Sequence, residues 1–228
     1  MYEFDSARGN KLESALAREF TATLGGGTSR GMALRFGMNF PAGQKRMSPV
    51  WAKDGKSDVL KFGNGTYLHF PSGIFPNGAF TLQMRFKTLS SADQWLFHNG
   101  FSRQAGIGAA IIGGKLFCSY ASGSTGFGHS LNRLPTTLKV VPGVWHDLEI
   151  AYDLNNMQIK LDGEKIAFPF KLRPAWTAPS LFGCTFNFPG SGAGFAKPQP
   201  FDGFLSKLRI KHSADIKIEQ PKVKEVIL

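Results

Sequence analysis

The chain has 228 residues, 42% of them hydrophobic, with 21 Phe, 27 Gly and 13 Pro, and carries a formal net charge of +11 from 27 Lys+Arg against 16 Asp+Glu. A chain of this length forms one large domain or two small ones, and such a fold buries roughly 70% of its unfolded surface. No window approaches about 18 apolar residues, which excludes a membrane-spanning helix, and no basic segment followed by an apolar run marks a signal peptide. The surplus positive charge draws polyanions. Lys and Arg are nevertheless spread along the chain with no basic block or nucleic-acid motif, so nucleic acid is disfavoured and an acidic polysaccharide or plain solubility accounts for the charge as well.

Gly and Pro are scattered as turn punctuation, the pattern of many short strands. The first stretch, "MYEFDSARGNKLESALAREFTATLGGGTSR", pairs a short strand with a helix-compatible piece, "NKLESALAREF", and stops at Gly25-Gly26-Gly27. Two similar segments follow, Met32–Gly43 and Val59–Gly73, each read as a strand ending in the same turn chemistry, with an exposed loop between them. In "AFTLQMRFKTL", Phe80, Leu82, Met84 and Phe86 alternate with Gln83, Arg85 and Lys87, the period of a half-buried strand. "QWLFHNG" is another strand, and Gly113-Gly114 between apolar runs marks a hairpin. "LEIAYD" and "MQIKLDG" are strands joined by "LNN", and Asp162-Gly163 makes a second hairpin turn. "FDGFLSKLRIKH" sends Phe204, Leu208 and Ile210 inward and Lys207, Arg209 and Lys211 outward; the tail after His212 is one more strand or a docking arm. Short alternating strands with polar outer faces, spaced about ten residues apart, predict two packed antiparallel sheets with at most one or two short helices.

Cys118 and Cys184 lie far apart, and no CxxC or HxxxH spacing supplies a zinc site. Buried free thiols are the default; a disulfide requires their strands to meet.

The segments "VLKFGNGTYLHFP", "AFTLQMRFKT", "GVWHDLEIAYD", "MQIKLDGEKIA" and "FDGFLSKLRIKHS" come in an order that resembles laminin-G-like, concanavalin A-like jelly-roll domains. The specific part is Trp145-His146 and Asp162-Gly163, followed by Phe201-Asp202-Gly203 and Arg209-Ile210. The resemblance implies one all-β jelly-roll sandwich over 1–228, with its core at 59–213, N-terminal strands and a loop at 1–58, and a terminal strand or arm at 214–228. It also implies an extracellular or cell-surface setting. No cofactor is required, although a structural Ca²⁺ is common on this scaffold; Asp54, Asn64 and Asp202 are the candidate ligands, without EF-hand spacing. Asp162-Gly163 fits a turn needing positive φ. Gly203 is expected to let the backbone turn without a Cβ clash, and Trp145 to pack at the sandwich edge.

The scaffold hosts glycosidases, lyases and lectins, so fold alone leaves the activity open. Asp147 and Glu149 stand two apart on one strand face, about 6.6 Å at the backbone, within the spacing of an inverting carboxylate pair. The Glu-x-Asp-x-x-Glu order of the scaffold's glucanases is absent, and Lys160 is a candidate cross-strand partner. For a lyase, His98 and Arg103 could act as base and carboxylate neutraliser, but the alginate-lyase strand motifs are missing. A lectin needs aromatic rings beside polar groups, which Trp95, Phe127 and Trp176 with His98, Arg103 and His129 provide. Sulfates and uronates would meet Lys and Arg. Arg85, Lys87, Lys160, Lys207, Arg209 and Lys211 make one basic face if their strands share a sheet. The sequence reading therefore favours a non-catalytic module for an extracellular, acidic glycan. A glycan-degrading enzyme or a protein-assembly domain stands as the alternative, with a protein partner in the last case.

Overall fold

Two layers of strands close over the alternating apolar residues. The computed structural model describes residues 11–12, 22–26, 49–63, 66–70, 75, 78–99, 106–121, 131–169, 180–183 and 201–212. Among them every regular element is a strand, numbered in chain order. They are β1 (Lys11–Leu12), β2 (Ala22–Gly26), β3 (Val50–Asp54), β4 (Ser57–Phe62), β5 (Thr66–Phe70), β6 (Phe80–Thr88), β7 (Gln94–Asn99) and β8 (Gly106–Ile112). The series continues with β9 (Lys115–Ala121), β10 (Leu131–Lys139), β11 (His146–Tyr152), β12 (Asn156–Leu161), β13 (Glu164–Pro169), β14 (Ser180–Phe182) and β15 (Gly203–Lys211). An eight-stranded sheet has the order β1-β2-β5-β14-β7-β8-β9-β10, and a seven-stranded sheet the order β13-β12-β11-β6-β15-β4-β3. The result is the antiparallel jelly-roll sandwich that the alternation and the resemblance predicted.

The core between the sheets joins Phe80, Leu82, Met84 and Phe86 of β6 to Leu148, Ile150 and Tyr152 of β11, and to Leu68, Phe70, Phe97 and Phe182 from the opposite sheet. Phe97 stacks on Phe182 at 5.2 Å, and Phe70 meets Phe182 edge-on at 5.1 Å. Such contacts add to plain area burial.

Three local features set the architecture. Val59–Gly73 does not run as the single strand its pattern suggested. β4 ends at Phe62 in one sheet and β5 begins at Thr66 in the other. At the crossing the Thr66 N–H donates to the Gly63 carbonyl (3.1 Å), and the Gly63 N–H donates to Thr66 Oγ1 (3.0 Å). In β15 the register slips between Leu205 and Lys207. This bulge reverses the in/out parity within the strand, so Phe204 lies on the outer face although Leu208 and Ile210 are buried. Strict alternation from an inward Phe204, as read from the sequence, would have required Leu208 and Ile210 to share its face; the extra residue, Ser206, separates them. Gly203 does not serve a turn, since it sits in the ladder opposite Thr88 and Phe62. A Cβ there would come within 2.2 Å of the Lys87 carbonyl oxygen, so glycine permits a close backbone approach.

The two expected hairpins form. Gly113 and Gly114 have φ of 57° and 69°, and Asp162 and Gly163 have φ of 51° and 94°, the double positive φ that suits twisted strands. Pro135, which cannot donate to a ladder, lies in β10 at the sheet edge beside a register shift. The helix-compatible Asn10–Phe20 piece falls mostly outside the described residues; Lys11–Leu12 within it pairs as strand with β2.

Candidate functional site on the seven-stranded sheet

Buried Leu82, Met84 and Phe86 force Gln83, Arg85 and Lys87 of β6 onto the outer face, and register extends that face across its neighbours. One row runs Lys165, Lys160, Glu149, Gln83, Arg209 across β13, β12, β11, β6 and β15. A second runs Asp147, Arg85, Lys207, and a third Lys87, Phe204, Lys61. Lys211 stands beside Thr81 at the far end. The six cations singled out in the sequence therefore share one sheet face, joined by Lys61 and Lys165.

The two carboxylates within these rows are tied across strands. Arg85 Nη1 donates to Asp147 Oδ2 at 3.0 Å, and Gln83 Nε2 donates to Glu149 Oε2 at 2.6 Å. Lys160 is opposite Glu149 in register, as expected, although the hydrogen bond goes to Gln83.

Trp145, just before β11, is half-buried and engaged on several sides. Lys87 Nζ lies 4.8 Å from its ring centroid and 5.1 Å from that of Phe204, while the Arg85 guanidinium carbon lies 5.7 Å above the indole. Its indole N–H donates to Asp54 Oδ2, and Asp54 Oδ1 stands 3.5 Å from Lys87 Nζ. Asp54 ends edge strand β3, with three strands between it and β11 in the sheet order. Because β4 pairs with β15 only from Leu60 to Phe62, the β3–β4 tip is free of the ladder and reaches over the face. This clasp was not legible in the sequence: Asp54 and Trp145 are 91 residues apart.

Next to it, His146 is buried and anchors the rim. Its Nδ1 lies 2.6 Å from Asp162 Oδ2, and its Nε2 lies 3.0 Å from the Val141 nitrogen and 3.1 Å from the Val141 oxygen. Asp162 Oδ1 accepts the Asp147 N–H at 2.8 Å.

The remaining sequence candidates lie elsewhere. Trp95 belongs to β7 of the other sheet and is 7% exposed, which leaves little of its ring for a ligand. His98 pairs with Leu181 and Gly108 in that sheet. Arg103, Phe127, His129, Trp176 and Asn64 lie outside the described residues. The carboxylate of Asp54 is taken up by Trp145 and Lys87. Asp202, half-buried, uses its main chain: its N–H donates to Gln94 Oε1 and its carbonyl accepts from Leu89. Among the described residues no three His, Cys, Asp or Glu side chains gather as a metal site. Nor is any helix there long and apolar enough to cross a membrane. Cys118 is a buried free thiol, pushed up to about 12 by burial; Cys184 lies outside the described residues.

An antiparallel jelly-roll with this rim and strand order belongs to a known class. The laminin G domain family model matches residues 86–213, and the chain belongs to that family. Comparison with curated protein sequences gives no match. Among solved structures the chain is similar to domain 4 of AbnA, a GH43 extracellular arabinanase from Geobacillus stearothermophilus in complex with arabinotriose. The two are 16% identical with a TM-score of 0.57, over 74% of this chain and 77% of that one. It is also similar to the binding domain of botulinum neurotoxin serotype G (11% identity, TM-score 0.56, 92% of this chain and 47% of that one). A third is the LG1-3 region of the laminin alpha2 chain (13% identity, TM-score 0.53, 68% of this chain and 31% of that one). At these identities the likeness is one of fold.

Proposed function

We propose that this laminin G domain is a non-catalytic recognition module for an extracellular acidic glycan, which it binds on the outer face of the seven-stranded sheet. The observation that carries the reading is the convergence of Arg85, Lys87, Lys160, Lys207, Arg209 and Lys211 on one face, with only Asp147 and Glu149 as carboxylates among their outward neighbours in those three rows. Strands about 4.8 Å apart and side chains about 6.6 Å apart along each strand make a two-dimensional lattice of cations. A chain bearing repeated sulfates or carboxylates can meet several of them at once, each through a charge-assisted hydrogen bond. The arabinanase domain solved with arabinotriose supports glycans as a ligand class on such a scaffold, and its extracellular origin supports the same setting here.

Asp147 and Glu149 fit this role better than catalysis. A glycosidase pair flanks the scissile bond with both carboxyl groups available to it. Here both lie on the sheet's outer surface with a donor opposite, as in an ordinary cross-strand charge ladder.

The test is an array of neutral, uronate-bearing and sulfated oligosaccharides, probed at low salt and at about 0.5 M, where the screening length shrinks to a few Å. Acidic glycans should bind at low salt and weaken at high salt, neutral ones should not bind, and the Arg209→Glu/Lys211→Glu pair should lose at least about tenfold in affinity. Failure to bind any acidic glycan would overturn the reading. So would turnover of a glycan that Glu149→Gln abolishes.

A further inference from the structure

Lys87 occupies an unusual position for a cation on a sheet surface. Its side chain is only 17% exposed, its ammonium group is flanked by the rings of Trp145 and Phe204, and a carboxylate comes to it from the tip of a distant hairpin. An ammonium that has given up much of its water calls for an anion, and an indole N–H on the same side supplies a second donor with no acceptor of its own. Asp54 satisfies both at present, Oδ2 on the indole and Oδ1 towards Lys87, although Asp54 itself is 43% exposed.

We infer that Lys87 and the Trp145 indole N–H form an anion subsite for a sulfate or carboxylate group, and that Asp54 occupies it as a built-in competitor until such a ligand group displaces it. The inference rests on the acidic-glycan reading for its natural ligand, while the subsite itself stands on the geometry. Asp54 terminates β3, where β4 no longer pairs with β15, so swinging the tip away breaks no ladder with β15. A tethered carboxylate acts at an effective concentration of about millimolar for a short flexible link. A lone small anion competes poorly against that. A polyanion also held by Arg85, Lys207 and Arg209 competes well, because its other charges keep the next one beside the subsite. The clasp thus selects multivalent acidic chains over free inorganic anions.

The experiment follows the indole ¹H–¹⁵N resonance of Trp145, assigned by its loss in Trp145→Phe. Wild type, Asp54→Asn, Asp54→Ser and Asp54→Asn/Lys87→Ala are titrated with sodium sulfate at constant ionic strength, and separately with a sulfated oligosaccharide. In Asp54→Asn and Asp54→Ser, sulfate should shift the resonance at about tenfold lower concentration than in wild type. Adding Lys87→Ala should remove the response. If sulfate moves Trp145 in this way and no acidic oligosaccharide binds, the subsite stands and the glycan reading falls. Oligosaccharide binding that leaves Trp145 unmoved, with Asp54→Asn no tighter than wild type, keeps the glycan reading and overturns the subsite. Two Asp54 variants that keep wild-type stability and show no sulfate response overturn it as well.

Discussion

His146 and Asp162, sixteen residues apart, meet at 2.6 Å and join the start of β11 to the β12–β13 turn. Asp162 serves two partners, since its second oxygen takes the Asp147 N–H, and it also holds a positive φ in the turn. His146 presses its ring on Phe86 at 5.6 Å and reaches the Val141 main chain with its other nitrogen. The Trp-His and Asp-Gly signatures that carried the family resemblance are thus two halves of one lock.

Asp162→Ala leaves the His146 ring nitrogen and the Asp147 N–H without their partner, and should destabilise the domain by about 1–3 kcal/mol. Asp162→Asn should cost less, since Asn tolerates positive φ and keeps an acceptor for the Asp147 N–H. Urea unfolding midpoints at matched m-values check the order. Equal losses for the two variants would show that the carboxylate contact with His146, which both lack, sets the stability rather than the turn conformation or the acceptor for the Asp147 N–H.

Gly203 and Gly163 separate two uses of glycine. At Gly163 an added Cβ meets nothing within 4 Å, so Gly163→Ala costs only its φ of 94°, about 1–2 kcal/mol. At Gly203 the Cβ would lie 2.2 Å from the Lys87 carbonyl and 2.9 Å from Thr88 Cα, both backbone atoms of β6. Backbone cannot move aside as a side-chain tip can, and Gly203→Ala should lose about 3 kcal/mol or more. Thermal unfolding of the two variants side by side tests the contrast.

The period-two pattern disclosed most of the fold because each core strand buries one face. Phe80, Met84 and Ile210 all point inward, and Gly113-Gly114 and Asp162-Gly163 turn where their chemistry requires. Apolar continuity hid the break at Gly63, since both sheets draw on the same core and residues on either side look alike. The bulge at Ser206 was hidden for a related reason: alternation gives parity, not the count of residues facing each partner. The basic face was legible as a set of outward cations, conditional on a shared sheet. The Asp54–Trp145 clasp was not, because a loop tip reaching across three strands leaves no periodic trace.

Gln94 is 1% exposed and works as a buried polar hub. Its Nε2 donates to Thr88 Oγ1 and the Ser90 carbonyl, both at 2.8 Å, while its Oε1 accepts the Asp202 N–H at 2.8 Å. The hub fixes the β6–β7 connection against the approach to β15. Gln94→Leu fills much the same volume but strands the Asp202 N–H, while Thr88 keeps its bonds to Ser90, for an expected loss of about 2 kcal/mol. Hydrogen exchange at the Asp202 amide should quicken by more than at the core of β11, a local signature that global unfolding alone does not produce.

Cys118 offers a check on burial. Its thiol is pushed from 9.0 to about 12, so at pH 8 the folded protein holds about a thousandfold less thiolate than the unfolded chain. In a Cys184→Ser background, labelling by a thiol reagent should be slower by about that factor until denaturant is added. Because the folded pKa is raised, the associated stability is full below pH 9 and drains away as pH climbs from there towards 12, where the unfolded chain ionises and the folded one does not. Labelling at the rate of a free peptide thiol would place Cys118 outside the core.

The basic face itself carries a measurable cost. Lys207 sits directly opposite Arg85 in register, a like-charge neighbour pair, and Asp147 on the far side engages Arg85 alone. Like charges in facing positions destabilise a sheet, and opposite charges stabilise it by about 0.2–1 kcal/mol. Lys207→Glu should therefore raise the unfolding midpoint slightly while weakening attachment to a sulfated glycan and flattening its dependence on salt. Opposite signs for stability and binding in a single exposed residue would mark the cation as kept for recognition. A variant that gains stability and binds as tightly as wild type would move the ligand to another face of the sandwich.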